Sequence, residues 1–181
     1  MSGRVKLIKG KNTKRRFTIK LGAAALTVAL LMGGCGKKQE NANLLAGMDQ
    51  VEQYDFQGAV DSFEKALLNN EDLELAYRGQ GIAYMGLGNY ADAATSFLKS
   101  IENAGNSLTD LEYETNYYLA AAYMKQGKYK QAEEIYSAVL ALRKKDKDAY
   151  YLRACAILRQ NRYEEAVADF EKAFSLDSDN L

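Results

Sequence analysis

The chain has 181 residues, in which 24 Lys and Arg are balanced by 24 Asp and Glu, and it contains no His, Trp or Pro. The absence of histidine excludes a His-dependent catalytic triad and a His-ligated metal site.

The first segment of the chain is basic and is followed by a short apolar run. Residues 1–20 contain eight basic side chains and no acid, and residues 21–32 form an apolar stretch of about 12 residues. Since a helix that spans a bilayer needs roughly 20 apolar residues, the pattern favours a signal-peptide core over a transmembrane helix. There are two alternatives to the lipidated signal peptide described below. One is an ordinary signal peptide with an incidental cysteine, and the other is an uncleaved anchor.

The sequence that ends this run, "LMGGC" at residues 31–35, resembles the lipobox of bacterial lipoproteins. The resemblance implies cleavage after residue 34, diacylglycerol attachment to the Cys35 sulfur, and acylation of its new amine by a fatty acid such as palmitate. It therefore predicts a signal peptide at 1–34, a lipidated cysteine and short linker at 35–39, and a folded domain at 40–181. The expected location is the extracytoplasmic side of a bacterial membrane. With Cys35 acylated, Cys155 has no partner for an intrachain disulfide.

Removal of the signal peptide changes the net charge. Because the removed segment holds eight of the 24 basic residues and none of the 24 acidic ones, 16 remain against 24, a net charge of about −8. Such a chain lacks the basic surface of a nucleic-acid-binding protein. Its length suits one domain with a real core.

The remaining chain repeats with a period of 34 residues. Each copy has a small residue, an aromatic residue nine positions later, an alanine three positions after that, and an aromatic residue four further on. An insertion of five residues, 108–112, separates the second copy from the third. The four copies of the pattern are Gly47, Phe56, Ala59 and Phe63; Gly81, Tyr90, Ala93 and Phe97; Ala120, Tyr129, Ala132 and Tyr136; and Ala154, Tyr163, Ala166 and Phe170.

This pattern resembles the tetratricopeptide repeat, with copies at 40–73, 74–107, 113–146 and 147–180. The resemblance implies an all-α, right-handed α-solenoid of four helix pairs. Apolar positions recur at the helical period and predict eight helices. The small residue that opens each pattern faces the alanine and allows close helix approach, and the second aromatic residue fills the space between neighbouring repeats. The helices are expected near 40–53, 57–70, 74–87, 91–104, 110–126, 130–144, 147–160 and 164–176.

Local signals predict where helices end and begin. Gly88, Gly127 and Asn161 lie in turns, where such residues adopt the left-handed conformation at a helix end. Thr109 and Glu112 form a capping-box signature. We interpret the insertion as a longer start to the first helix of the third repeat, with a functional loop as the alternative.

In the tetratricopeptide repeat family the first helices of successive repeats line a concave groove. Methionine adapts to irregular partners, and Tyr and Arg are enriched at binding hot spots. The alternative to partner binding is that the side chains on the groove side of the first helices only pack against one another. Ile82 stands where chaperone-binding members carry an asparagine, so a carboxylate clamp is not expected. The partner-binding residues that the resemblance implies are Met48, Arg78, Ile82, Met85, Tyr117, Met124, Lys125, Tyr151, Cys155 and Arg159, with Leu44, Val51, Ala121 and Leu158 between them.

The sequence contains no set of catalytic groups. Acid pairs such as Glu133 and Glu134 are typical of solvated helix faces, and no base is present to activate a serine or threonine. We therefore expect no enzyme activity, cofactor or metal. Five tyrosines resemble a carbohydrate-stacking set, but repeat packing explains their positions: Tyr113, Tyr117, Tyr118, Tyr150 and Tyr151.

The leading hypothesis is a membrane-tethered, non-catalytic scaffold that binds a protein or peptide partner in the cell envelope. A self-associating structural envelope protein is the alternative, and an envelope enzyme is a third hypothesis. Phe174 and Leu176 occupy positions whose counterparts in earlier repeats are expected to pack on a following helix. We expect them to contact another copy or a partner, since solenoid ends need a polar cap; tolerated exposure is the alternative.

Overall fold

The computed structural model describes residues 41–105 and 109–178. The predicted signal peptide, Cys35 and the predicted linker lie outside the described residues. Within these ranges the chain forms eight α-helices and no strand. The helices are α1 (Ala42–Glu52), α2 (Phe56–Leu68), α3 (Leu73–Gly86), α4 (Tyr90–Asn103), α5 (Asp110–Lys125), α6 (Tyr129–Leu142), α7 (Lys147–Leu158) and α8 (Tyr163–Ser178).

The predicted all-α fold class is confirmed, and the predicted helix bounds lie within two residues of the observed ones. The side chains of Asp55 and Asp72 accept hydrogen bonds from the backbone N–H groups of Gly58 (3.0 Å) and Leu75 (3.2 Å). Such N-caps satisfy a free donor of the first turn. They start α2 and α3 one residue earlier than the hydrophobic pattern predicts.

The predicted capping box at the start of α5 is confirmed. The Thr109 hydroxyl accepts from the Glu112 backbone N–H at 3.3 Å, and the Glu112 carboxylate accepts from the Thr109 backbone N–H at 2.9 Å. Two donors at the helix N-terminus are thereby satisfied reciprocally. The third repeat's first helix therefore begins at a position that is encoded locally.

The turns between the two helices of each pair use the left-handed conformation. Gly88, Gly127 and Asn161 have φ angles of 76°, 73° and 62°, as predicted. Tyr54 occupies the equivalent position in the first repeat with φ 62°. Glycine and asparagine adopt this conformation readily, whereas it costs other L-residues roughly 1–2 kcal/mol, so the first turn is the most strained of the four.

Each helix packs on its neighbours in chain order, and contacts between first helices define the inner side of the array. Helix α1 contacts α3, and α3 contacts α5, whereas α5 and α7 make few close backbone contacts. The first helices of the pairs therefore share one surface, which opens between α5 and α7.

The core consists of aromatic rings set against small residues. The alanines of the repeat pattern are at most 1% exposed, and Phe63 is fully buried. A Cβ atom added to Gly47 would lie 2.8 Å from the Phe63 ring, and one added to Gly79 would lie 2.3 Å from it. Phe63 thus contacts both the first helix of its own repeat and the first helix of the next, as predicted.

Across residues 41–105 and 109–178, none of the helices combines the length and apolar character that crossing a membrane requires.

Candidate functional site

An open cleft of about 720 Å³ lies on the inner surface between α5 and α7. We call it the tyrosine cleft. Its volume is in the range of sites that bind small ligands or side chains of a peptide. The residues that line it are Glu114, Tyr117, Tyr118, Ala121, Tyr136, Arg143, Asp146, Asp148, Tyr151 and Leu152.

Three tyrosines of the cleft each rest against an aromatic ring of the repeat core. Such ring contacts contribute about 0.5–1.5 kcal/mol beyond area burial and fix the rings before any ligand arrives. Pre-positioned side chains lower the ordering cost of binding. The ring pairs, with centroid distances, are Tyr117 with Tyr136 at 5.8 Å, Tyr118 with Phe97 at 5.6 Å, and Tyr151 with Phe170 at 5.5 Å.

Arg78 reaches the edge of the tyrosine cleft from α3. Its guanidinium lies 5.3 Å from the Tyr118 ring centroid, and its Nη2 atom lies 2.7 Å from Oε2 of Glu114. The Arg78 side chain is 17% exposed and that of Glu114 is 62% exposed. The pair is therefore worth little as a source of stability, but it compensates the charge of Glu114.

Arg143, at the end of α6, is also engaged. Its guanidinium lies 3.6 Å from the Tyr113 ring centroid and forms an ion pair with Asp110. The hydrogen bond to Asp110 is the largest of the effects that raise the pKa of Arg143. The positive charge of Arg143 is therefore already balanced by a carboxylate of the same domain.

Asp146 and Asp148 lie at the start of α7. Asp146 is the N-cap, and its side chain accepts from the backbone N–H of Ala149 at 3.0 Å. Asp148 is exposed in the first turn. In the described part of the chain neither carboxylate forms an ion pair within 4.0 Å.

The hydroxyl of Tyr117 is buried beside these acids. Burial is the main cause that raises the pKa of Tyr117, and the neighbouring Asp146 carboxylate raises it further. Although the carboxylate is close enough to act on the pKa, the hydroxyl makes no hydrogen bond of normal geometry to any described residue. A buried polar group left in this way costs about 1–3 kcal/mol. The position would suit a hydrogen-bonding group of a ligand.

A second cleft, of about 360 Å³, continues from the first and is called the terminal cleft. The two share Asp148 and Tyr151. Lys147 and Asp177 form an ion pair beside it. Phe174 is 76% exposed at this end. The terminal cleft is lined by Lys147, Asp148, Tyr151, Phe170, Ala173, Phe174 and Asp177.

Of the residues expected to bind a partner, the structure brings Tyr117 and Tyr151 together in the tyrosine cleft. Ile82 and Met85 instead pack against the core cluster around Phe97, and Met124 packs against the cluster around Tyr136. Tyr117 also packs against core residues, but it lines the cleft together with Tyr151, whereas Ile82, Met85 and Met124 do not.

The other expected residues lie apart from the cleft or beside it. Met48, Lys125 and Arg159 are exposed, and Leu176 is half-buried. Cys155 is half-buried, and burial raises the pKa of its thiol. Partner binding by these residues stays a prediction.

Seven lining residues were not among the expected binding residues: Glu114, Tyr118, Tyr136, Arg143, Asp146, Asp148 and Leu152. Arg143 and Asp146 lie at the connection between α6 and α7, whereas the groove positions implied by the resemblance all lie within first helices. One local signal was present for Asp146, because an aspartate directly before a predicted helix start is typical of an N-cap.

No cluster of His, Cys, Asp and Glu suited to a metal ion is found in the part of the chain that the structure describes.

The family model "Tetratricopeptide repeat" matches residues 44–107 and 117–180, which is more than half of the chain. Among solved structures, MamA 41-end from Desulfovibrio magneticus RS-1 is 25% identical, with a TM-score of 0.66 over 78% of this chain and 77% of that one. MamA AMB-1 is 21% identical, with a TM-score of 0.64 over 75% of this chain and 72% of that one. At 21% identity the likeness shows the fold alone.

Curated relatives include serine/threonine-protein phosphatase 5 from Rattus norvegicus, 28% identical over 126 residues, which are 68% of this chain and 24% of the phosphatase. The Homo sapiens protein is 28% identical over 141 residues, 76% of this chain and 27% of the phosphatase. The chain thus spans about a quarter of the length of these relatives.

Proposed function

Because the chain belongs to the tetratricopeptide repeat family, we propose that it is a non-catalytic scaffold that holds a protein or peptide partner in the tyrosine cleft. The observation that carries this proposal is the cleft itself, with rings fixed by the core and a buried hydroxyl that lies beside the Asp146 carboxylate but makes no hydrogen bond of normal geometry. Aromatic residues in such pockets dominate binding energies at protein interfaces.

The proposal includes a cellular location: a lipid anchor at Cys35 holds the protein in a bacterial envelope membrane. Its support is the sequence alone: a basic segment, a short apolar run and "LMGGC". The lipobox resemblance implies three acyl chains on Cys35, two in the diacylglycerol and one on the amine. Stable membrane attachment needs about two membrane-binding signals, so this anchor would be sufficient.

The proposed function is non-catalytic although the curated relatives are phosphatases. The chain corresponds to about a quarter of those proteins. Its sequence has no histidine, and no cluster of metal-ligating residues occurs in residues 41–105 and 109–178. The acids and tyrosines of the cleft fit binding better than bond-breaking chemistry.

The binding half is tested by truncating the cleft tyrosines. We expect Tyr117→Ala and Tyr151→Ala to reduce partner recovery in cross-linking from intact cells, with a smaller loss of stability than truncation of a fully buried ring causes. Phe97→Ala is the stability control, since it removes a fully buried ring and is expected to cost about 3 kcal/mol. Equal destabilisation by all three variants would show that the tyrosines only pack.

The anchor is tested by Cys35→Ala, with Cys155→Ala as the matched control. We expect the first variant to be released into the extracytoplasmic fluid or to stay unprocessed, and the second to fractionate with membranes like the unaltered protein. Recovery of mature Cys35→Ala protein in the membrane fraction would contradict the lipobox interpretation.

Self-association is the second candidate function, and one observation favours it. Tyr163, Val167 and Phe174 share a face of α8 and are 60%, 53% and 76% exposed. An apolar stripe of this spacing is typical of a helix face that packs on another element. Sedimentation of residues 36–181 tests it: a strict monomer at high concentration, unchanged by Phe174→Glu, would exclude a dimer through this face.

A further inference from the structure

The charges that line the tyrosine cleft do not balance. Glu114 is paired with Arg78, and Arg143 is paired with Asp110. Asp146 and Asp148 have no cationic partner within 4.0 Å among the described residues. Lys147, which lies between them in sequence, is paired with Asp177, although Asp148 also acts to raise its pKa. Asp146 and Asp148 are thus two cleft carboxylates outside any ion pair, next to the cleft tyrosines.

The buried hydroxyl lies at the same place. The Tyr117 oxygen has lone pairs that no described residue uses, and it lies beside the Asp146 carboxylate. Because the Tyr117 oxygen has almost no accessible surface, a donor of a ligand would reach the Asp146 carboxylate beside it. Hydrogen bonds to charged groups are the stronger kind, and an ammonium or guanidinium has several donors.

The aromatic walls favour the same ligand chemistry. Tyr151, which is 55% exposed, offers a ring face for the methylene stem of a long side chain, whereas the Tyr118 ring is already in contact with Phe97 and Arg78. A cation over a tyrosine ring gains about 0.5–2 kcal/mol, and Arg78 already uses the Tyr118 ring in this way. Ring faces and free carboxylates together are complementary to a cation on an apolar stem.

We propose that the tyrosine cleft selects partner segments that carry a lysine or arginine side chain, with Asp146 and Asp148 holding the charged group. This inference rests on the proposed function, because it names the chemistry of the partner segment. The basic side chain enters between α5 and α7, its stem lies on Tyr151, and its donors reach the carboxylates of Asp146 and Asp148.

Acids at the start of a helix have a structural role as well, since they favour the helix N-terminus. The chain contains its own control for that role. Asp72 and Glu74 occupy the N-cap and second helical positions of α3, the same positions that Asp146 and Asp148 occupy in α7. Only the α7 pair lines the tyrosine cleft.

The test uses the full-length chain and a library of random twelve-residue peptides displayed on phage. We expect the retained peptides to be enriched in lysine and arginine over the starting library. A retained peptide, measured by fluorescence anisotropy, should lose about tenfold in affinity to Asp146→Asn/Asp148→Asn. Asparagine keeps the N-cap, so α7 should still begin at the same place.

The control variant Asp72→Asn/Glu74→Gln should bind the peptide as the unaltered chain does. Glutamine in place of the peptide's basic residue should cost about the same tenfold as the α7 variant. Peptides retained without basic enrichment, or bound equally by the α7 variant, would overturn this inference and leave the proposed function standing. Retention of no peptide would overturn both.

Discussion

The α3–α4 and α7–α8 pairs solve the same packing problem with different chemistry. In the first, Gln80 Oε1 accepts from the Ser96 hydroxyl at 2.9 Å. At the equivalent positions of the second, Arg153 donates to both oxygens of Asp169 at 2.6 and 2.7 Å. The repeat pattern thus determines where two helices meet, but it leaves the polar contact between them free to be neutral or ionic.

The two pairs differ also in how their outer faces are covered. Ala94 and Ile101 of α4 are 5% and 1% exposed, because α5 packs on that face. The equivalent residues of α8, Val167 and Phe174, are 53% and 76% exposed. Burial at these positions is therefore determined by the neighbouring helix and not by the residue type.

The largest expected effect on stability tests this difference in burial between the outer faces of α4 and α8. Ile101→Ala should destabilise the protein by about 3 kcal/mol, as truncation of a buried aliphatic side chain does. Phe174→Ala should change stability by less than about 0.5 kcal/mol, as surface substitutions do. Thermal unfolding followed by circular dichroism measures both.

A loss from Phe174→Ala as large as that from Ile101→Ala would break the comparison. It would mean that the α8 face is covered in solution. The comparison would then be between two covered faces, one within the chain and one between molecules.

The next effect concerns the polar contact. Arg153→Gln should cost about 2 kcal/mol, because it leaves Asp169 without its cation in a site where that side chain is 11% exposed. The double variant Arg153→Gln/Asp169→Ser transplants the pair found between α3 and α4 and should recover most of the loss. Urea unfolding of the two variants checks this, and a double variant no more stable than the single would refute the equivalence.

A smaller effect appears only in alkali. Burial raises the pKa of Tyr136 to about 12, whereas an unfolded tyrosine ionises near pH 10. The contribution of protonated Tyr136 to the free energy of unfolding is therefore fully present below about pH 10 and is lost as the pH rises towards 12. Phenylalanine occupies this position in the other three repeats, so Tyr136→Phe is a matched change.

Relative to pH 8, the unaltered protein should lose about 1 kcal/mol more than Tyr136→Phe at pH 11. Chemical unfolding at the two pH values measures the difference. Parallel losses in the two proteins would show that Tyr136 ionises as easily in the folded chain as in the unfolded one.

The smallest effect extends the comparison to the first repeat. Helix α3 is capped by its own Asp72, but the first turn of α1 is held by Glu71, which accepts from the backbone N–H groups of Asn43 and Leu44 at 2.9 Å each. Desolvation acts to raise the pKa of Glu71, but the hydrogen bonds outweigh it and lower the pKa.

The stability that ionised Glu71 gives to the start of α1 is therefore present above the ordinary glutamate pKa. It is lost as the pH falls through the lowered pKa of Glu71 in the folded chain. We expect acid to lower the protection factors of the amides at the start of α1 before it lowers those in α3. Glu71→Ala, which removes both acceptor oxygens, should show fast exchange there already at neutral pH. Slow exchange at the start of α1 in that variant would contradict the capping role.

The fold was predictable because its signals are local and repeated. The pattern of Gly81, Ala93 and Phe97 recurs four times, and the capping box of α5 lies within four residues. The position of Tyr54 in a left-handed turn was not predictable from residue type, because the neighbouring helices impose it.

The cleft was predictable only in part. Tyr117 and Tyr151 follow from the spacing of first helices. The pairing of charges in the cleft does not follow from the sequence, because Arg143 pairs with Asp110, which lies 33 residues away. Only the folded chain shows that Asp146 and Asp148 form no ion pair.

The order in which helices pack also bears on how the chain acquires its structure. Each helix packs mainly on helices that are adjacent or next-but-one in sequence. Contacts of this kind close short loops at small entropic cost, so ordering can begin in one pair and spread along the array. Topologies dominated by local contacts fold in about microseconds to milliseconds, and a chain without proline has no slow prolyl isomerisation to wait for. The same architecture that gives the protein its inner surface thus lets it form that surface quickly.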